Sequence, residues 1–206
     1  MVIREEAFPF AGPLALVAAV LAALGHPIAA AFPALAAAAV CAFFRDPERI
    51  APEDSRALLS PADGRIVKVQ LLAEGQLMVS VFMSVFDVHV NRSPFGGTVK
   101  SVAYNPGKFM AAWSDKASLD NEQVRMLFDT PMGSYQVVMI AGLVARRIVC
   151  WATPGRAFVR GERIGLIRFG SRVDILLPGE RTTSLVAVGD RVRAGLTPLA
   201  SWNATP

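Results

Sequence analysis

Hydrophobic positions fall into two textures along the chain. Residues 10–24 are almost entirely apolar, with Gly12 and Pro13 near the start. Gly25-His26-Pro27 interrupts them, and residues 28–44 are apolar again, rich in alanine, with Pro33 inside. Neither run alone reaches the roughly 20 residues of a comfortable bilayer span. Two such runs around a Gly-His-Pro break predict a helical hairpin. Pro27 then takes the first position of the second helix, where its missing N–H costs little. A secretory signal would show one apolar core and then a small-residue cleavage site. Here the second run ends instead on Phe43-Phe44-Arg45-Asp46-Pro47. The pattern fits a spanning hairpin and a shallow re-entrant one equally.

From Ala51 onward the texture changes to short β-branched and apolar runs at 64–69, 78–83, 97–102, 137–141, 164–169 and 173–177. Gly, Pro and Asp clusters bound them. Many short strands with turn signals between them predict a mostly β (α+β) domain. A helix is compatible with residues 145–151 or with the stretch after Asn121. Two segments look alike: Ser60-Pro61-Ala62-Asp63-Gly64-Arg65-Ile66 and Val188-Gly189-Asp190-Arg191-Val192-Arg193-Ala194-Gly195. Both are similar to turns of the small β-barrels that carry biotin or lipoate. A carrier needs a lysine on an exposed hairpin. Lys68 falls in a strand pattern, and Lys100, Lys108 and Lys116 fall in other contexts, so the barrel geometry is expected without the carrier role. The expected organisation is a membrane-associated hairpin over 1–44 and a catalytic domain over 45–206.

Composition sharpens the membrane reading. Of 206 residues, 53% are hydrophobic and only 18% charged, where a soluble domain carries about a quarter. Mean hydropathy is +0.41, which places part of the chain in lipid. The net charge of +4 suits an anionic partner. Lys and Arg are scattered, with no basic run of the kind that binds nucleic acid, so an anionic membrane surface is the expected partner. Arg4 flanks one end of the hairpin and Arg45 and Arg49 the other, while the turn has no cation. Both ends should therefore face the cytoplasm. The two cysteines, Cys41 and Cys150, exclude a disulfide framework or a Cys-rich zinc site and read as small buried hydrophobes.

Candidate chemistry is sparse. Of the two histidines, His26 falls in the hairpin turn and reads as a polar tip at the interface. His89 sits in a crowded polar stretch after an apolar strand, where it is either structural or an acid–base group. Asp63 lies in a Pro-Ala-Asp-Gly turn, and such residues usually bond local backbone. Tyr104 to Phe109 reads as a turn, and Trp113 to Glu122 as a polar loop that either closes over a site or merely connects. Gly170-Ser171 lies between two β runs. It is either a strand kink or a pair in which the serine hydroxyl attacks the preceding carbonyl, glycine there removing bulk and permitting unusual dihedrals.

Six stretches together, in order, resemble the short bacterial and archaeal phosphatidylserine decarboxylase proenzymes. They are Phe43-Phe44-Arg45-Asp46-Pro47-Glu48-Arg49, Ser60-Pro61-Ala62-Asp63-Gly64, Phe86-Asp87-Val88-His89-Val90-Asn91-Arg92, Asn105-Pro106-Gly107-Lys108-Phe109, Asp115-Lys116-Ala117-Ser118 and Asn121-Glu122. Phe169-Gly170-Ser171 resembles the family's self-processing motif. The resemblance implies self-cleavage between Gly170 and Ser171 into a β chain, 1–170, and an α chain, 171–206. Ser171 is then the nucleophile and the precursor of a covalent pyruvoyl group. That group forms a Schiff base with phosphatidylserine, which loses CO2 to become phosphatidylethanolamine, with no pyridoxal phosphate or metal. Asp63 matches the acidic residue that assists cleavage, and His89 the acid–base histidine. Longer members carry a second histidine where this chain has Arg92, so either His89 or Asp63 is left to activate Ser171. Arg92 is a candidate to hold the substrate's phosphate or carboxylate. A diacyl lipid stays in its bilayer, at about 0.8 kcal/mol per buried CH2, so the hairpin would hold the enzyme at the cytoplasmic face of the cell membrane. A homo-oligomer is left open. The rival readings are a membrane-tethered, non-enzymatic biotinyl- or lipoyl-like module, and a pyruvoyl decarboxylase of a soluble amino acid.

Overall fold

Alanine and leucine are among the strongest helix formers, and both apolar runs, rich in them, form helices. α1 spans Phe8–Ala23 and α2 spans Pro27–Phe43. This is a computed structural model that describes residues 2–107, 121–142, 147–168 and 171–203. A 3-10 turn, Glu5–Ala7, leads into α1. The helical stretch Glu5–Ala23 is 19 residues, long and apolar enough to cross a membrane, which is more than the apolar run alone suggested. Gly25 turns the chain with φ +78°, a backbone that glycine adopts without strain. Pro27 takes the first helical position, as the sequence predicts. Leu16, Ile28, Phe32 and Leu35 are each 66–81% exposed. Val2–Ile3 (β1) pairs antiparallel with Arg45–Asp46 (β2) and draws the ends of the hairpin together. Met1–Glu48 forms one compact unit and Arg49–Pro206 another.

The second unit is built of strands: β3 (Ala57–Leu59), β4 (Gly64–Leu71), β5 (Gln76–Met83), β6 (Val90–Arg92), β7 (Gly97–Asn105), β8 (Gln123–Asp129), β9 (Tyr135–Ala141), β10 (Ile148–Cys150), β11 (Ala157–Phe158), β12 (Arg163–Ile167), β13 (Ser171–Pro178), β14 (Thr182–Ser184), β15 (Arg191–Val192) and β16 (Pro198–Trp202). Eight of them form one sheet in the order β11-β7-β8-β9-β13-β5-β4-β15, curled into a half-barrel. Two three-stranded sheets, β10-β12-β6 and β14-β16-β3, complete the unit. The mostly β class with a leading helix pair is therefore as expected.

Alternation within the long strands places the core. Val79, Val81 and Met83 of β5, Val137 and Met139 of β9, and Val173 and Ile175 of β13 share one face. They pack with Leu58, Ile164, Leu199 and Trp202 from the smaller sheets. Residues two apart line the same face of a strand, so one apolar series per strand is enough to build the sandwich. The helix considered after Asn121 is instead β8, where Val124, Met126 and Phe128 alternate with Arg125, Leu127 and Asp129. In the second stretch considered helical, the β-branched Ile148-Val149 pair lies in β10, and residues 145 and 146 lie outside the described ones.

The two look-alike segments turn out to be neighbours. Arg191 pairs with Arg65 and Val192 with Gly64, and the Gly195 amide donates to the Ser60 carbonyl at 2.8 Å. At Gly64 φ is +149°, and a Cβ there would stand 2.0 Å from the Phe82 carbonyl oxygen. Only glycine lets the turn after Asp63 press onto β5.

Candidate active site

β13 is the central strand of the large sheet, bonded on one side to β9 and on the other to β5. Ser171 opens it, opposite Ala141 and Met83. Its side chain has the parity of Val173 and Ile175 and so lies on the core-facing side. Ser171 is fully buried, and its Oγ has no hydrogen-bond partner among the described residues. An orphaned buried hydroxyl is uncommon and calls for an explanation in structure or chemistry. Gly170 and Phe169 lie outside the described residues, as do Lys108, Phe109 and the polar loop over 113–120.

His89 precedes β6 and is buried. Its Nδ1 lies 2.9 Å from the Asp87 carbonyl oxygen. A carbonyl can only accept, so Nδ1 carries the hydrogen and Nε2 of the neutral ring is the basic nitrogen. The His89 carbonyl accepts from the Ile167 amide at 3.3 Å, which ties the histidine to the end of β12, a few residues before Ser171. The Asp87 carboxylate accepts from the amide and hydroxyl of Ser84 and from Arg191. The turn that presents His89 is therefore clamped at both ends.

Asp63 is held differently. Arg49 donates to both of its oxygens, at 2.5 and 2.8 Å, and the Ala194 amide donates at 2.7 Å. Arg49 also donates to the Ala194 carbonyl. This fork-to-fork pair is mostly buried, with Arg49 7% and Asp63 13% exposed at the side chain. Its immediate work is to bind the two look-alike turns together. The same turn docks on β6, because the Pro61 carbonyl accepts from the Arg92 amide at 2.9 Å and the Asn91 side chain at 3.4 Å. Asp63 and His89 thus belong to adjoining segments.

Arg92 is buried, donates to the Gly161 carbonyl at 3.0 Å, and packs where a Cβ on Gly195 would meet it at 2.9 Å. These contacts anchor Arg92 against the Gly161 and Gly195 turns. His26 is exposed at the start of α2, as expected of a turn residue.

Three residues that sequence reasoning assigned no part in the chemistry lie next to these candidates. Arg49 is one. The signal for it was its place closing the Phe43-to-Arg49 motif. Asn91 is the second: fully buried, it donates to the Met83 sulfur at 3.6 Å beside Ser171, and its Oδ1 is unpartnered among the described residues. Glu122 is the third. The Ala141 amide donates to its carbonyl at 3.0 Å, and Asn121 donates to the Ala141 carbonyl at 2.7 Å. The Asn-Glu pair is thereby laid against the residue that faces Ser171.

Other reactive groups are accounted for by packing. Burial pushes the pKa of Tyr135 well above its ordinary value, and its hydroxyl donates to the Phe95 carbonyl. Burial likewise pushes the Cys150 thiol up, which keeps it a neutral, poorly nucleophilic core group. A surface cavity lined by Gln76, Tyr135, Leu177 and Glu180 lies at the far end of β13. That is roughly 20 Å along the strand from Ser171 at about 3.3 Å per residue, so it is separate from this site.

A family model described as phosphatidylserine decarboxylase matches residues 36–200. A phosphatidylserine decarboxylase proenzyme of Oleidesulfovibrio alaskensis is 47% identical over 210 aligned positions, covering 99% of this chain and 96% of the relative. The proenzyme of that name from Desulfotalea psychrophila is 46% identical over 202 positions, covering 95% and 94%. The one from Syntrophus aciditrophicus is 44% identical over 180, covering 84% of each. Likeness of this extent, centred on a domain whose middle strand begins at the buried Ser171, shows that the chain belongs to the phosphatidylserine decarboxylase family.

Proposed function

We propose that the chain is the proenzyme of a pyruvoyl-dependent phosphatidylserine decarboxylase, cutting itself between Gly170 and Ser171 and then converting phosphatidylserine to phosphatidylethanolamine and CO2. The observation that carries this reading is the buried Ser171 Oγ, without a hydrogen-bond partner among the described residues, at the head of the central strand, in a chain matched nearly end to end by decarboxylase proenzymes.

In the cleavage, His89 Nε2 takes the proton from Ser171 Oγ as the oxygen attacks the Gly170 carbonyl. The Gly170–Ser171 amide becomes an ester, and the freed Ser171 nitrogen takes up a proton. Loss of the Ser171 Cα proton and departure of the Gly170 carboxylate leave a dehydroalanine. Water then converts its enamine to a ketone and releases ammonia. Asp63, oriented by Arg49 and Ala194, assists by placing its turn against the strand that follows His89. The pyruvoyl ketone, once formed, supplies the electron sink that decarboxylation requires. The orphaned hydroxyl fits such a group, because a residue destined to lose its oxygen gains nothing from a structural hydrogen bond there.

The sheet explains why the cut need not release the α chain. Its first strand, β13, is inserted between β9 and β5, β15 pairs with β4, and β16 pairs with β3. Every one of those partners precedes residue 170. The hairpin, apolar on all sides and exposed, suits lipid. With Arg4, Arg45 and Arg49 at its ends, the reading places the enzyme on the cytoplasmic face of the membrane.

Lys68 and Lys100 lie inside β4 and β7, not at hairpin tips, and Lys108 and Lys116 lie outside the described residues, so nothing described favours a carrier module. The test is CO2 release from carboxyl-labelled phosphatidylserine in mixed micelles, with free serine alongside. Release from the lipid alone supports the proposal. Release from serine alone transfers the activity to a soluble amino acid.

A further inference from the structure

The Glu122 carboxylate is a buried titratable group that the cleavage chemistry above does not use. The residue is 4% exposed. Its Oε1 accepts from the Tyr104 hydroxyl at 3.2 Å and from the Ile148 amide at 3.4 Å, whereas Oε2 has no hydrogen-bond partner among the described residues. Glu122 directly precedes β8 and shares the parity of Val124 and Met126, whose side chains are in the core. It therefore points to the same face as Ser171. The Ala141 amide bonds its carbonyl, and Ala141 in turn faces Ser171. Glu122, Ala141 and Ser171 thus form one row across β8, β9 and β13, with the two outer Cα atoms roughly 10 Å apart, two strand spacings. Between them stands a side chain of a single methyl group. Tyr104 reaches Glu122 from β7, the strand on the side away from Ser171.

A buried carboxyl with one oxygen unserved carries a desolvation cost that a bound donor would remove. We propose that Glu122 Oε2 is the acceptor for the primary ammonium of an aminophospholipid headgroup, and so selects amine-bearing headgroups as they approach the position of residue 171. This rests on the reading of the site as a decarboxylase. It assigns Glu122 to recognition of the substrate and product amine, not to self-cleavage.

The test uses the full-length processed enzyme in detergent, with Glu122→Gln, which keeps the shape and the Oε1 acceptor, and Glu122→Asp, which keeps the charge. Cleavage is read on a denaturing gel. Binding is read by calorimetry with glycerophosphoethanolamine and with its amine-free counterpart, glycerophosphoethanol. All three proteins should be fully cut. Glu122→Gln should bind the amine at least tenfold more weakly, a loss of the size expected for a hydrogen bond to a charged group. It should bind the amine-free probe within about twofold of wild type, and Glu122→Asp should recover most of the amine affinity. Equal binding of the amine by wild type and Glu122→Gln, or equal loss for both probes, overturns the inference while leaving the decarboxylase reading intact. An uncut wild-type chain overturns both.

Discussion

The helix pair and the β unit treat polarity in opposite ways. In the helix pair, large apolar side chains such as Ile28 and Phe32 face outward, 81% and 72% exposed. In the β unit the apolar series faces inward, and polar groups are buried with it: Ser171, His89, Asn91 and Glu122 are all at most 4% exposed. Water penalises exposed apolar surface and poorly bonded buried polar groups alike. On the function proposed above, lipid would cover the first and a reaction at the head of β13 would use the second. Substitutions in the helix pair should therefore change where the protein goes, and substitutions in the β unit should change what it does.

The largest effect should come from His89. Its Nδ1 is committed to the Asp87 carbonyl, so the only nitrogen able to take a proton is Nε2. His89→Ala should slow self-cleavage by at least about 100-fold, the usual lower range for loss of a general base, as read by band intensities over time. Cleavage at the wild-type rate would transfer the role to another group and reopen Asp63. Next is the Arg49–Asp63 pair. Arg49→Ala leaves a mostly buried carboxylate without its cation and should lower unfolding stability by about 3 kcal/mol. Thermal melting with an Asp63→Ala, Arg49→Ala cycle should show the double variant losing less than the sum. Additive losses would mean that the two side chains do not act as a pair. The smallest effect on chemistry belongs to the hairpin. Replacing Ile28, Phe32 and Leu35 by serine should weaken vesicle association by about 100-fold or more, at about 1 kcal/mol or more per side chain, and leave cleavage in detergent unchanged. Impaired cleavage there would break the separation between the two regions.

Much of this division could be read from the chain. The apolar runs, the turn at Gly25 and Pro27, and the strands with regular alternation needed only period and punctuation. β8 and β10 did not stand out, because Gln123-Val124-Arg125 mixes signals and a three-residue strand is too short to show a period. Their assignment depends on pairing with β9 and β12, which is tertiary information. At the site, Ser171, His89 and Asp63 were visible as residue types in suggestive surroundings. Arg49 was not, since its partner is 14 residues away and the bond forms only when the Asp63 turn folds back. Glu122 looked like the end of a polar loop. Its burial follows from Asn121 bonding the Ala141 carbonyl, a contact that local composition does not announce. The similarity between the two turn segments was legible, but that they face one another is a property of the sheet.

Intact mass spectrometry of the purified wild type and of Ser171→Ala tests the central claim most directly. Two wild-type species are expected, residues 1–170 and residues 171–206 with a pyruvoyl N-terminus, and a single full-length mass for the variant. A wild-type chain that stays whole under turnover conditions, or a Ser171→Ala chain cut at the same bond, would contradict it.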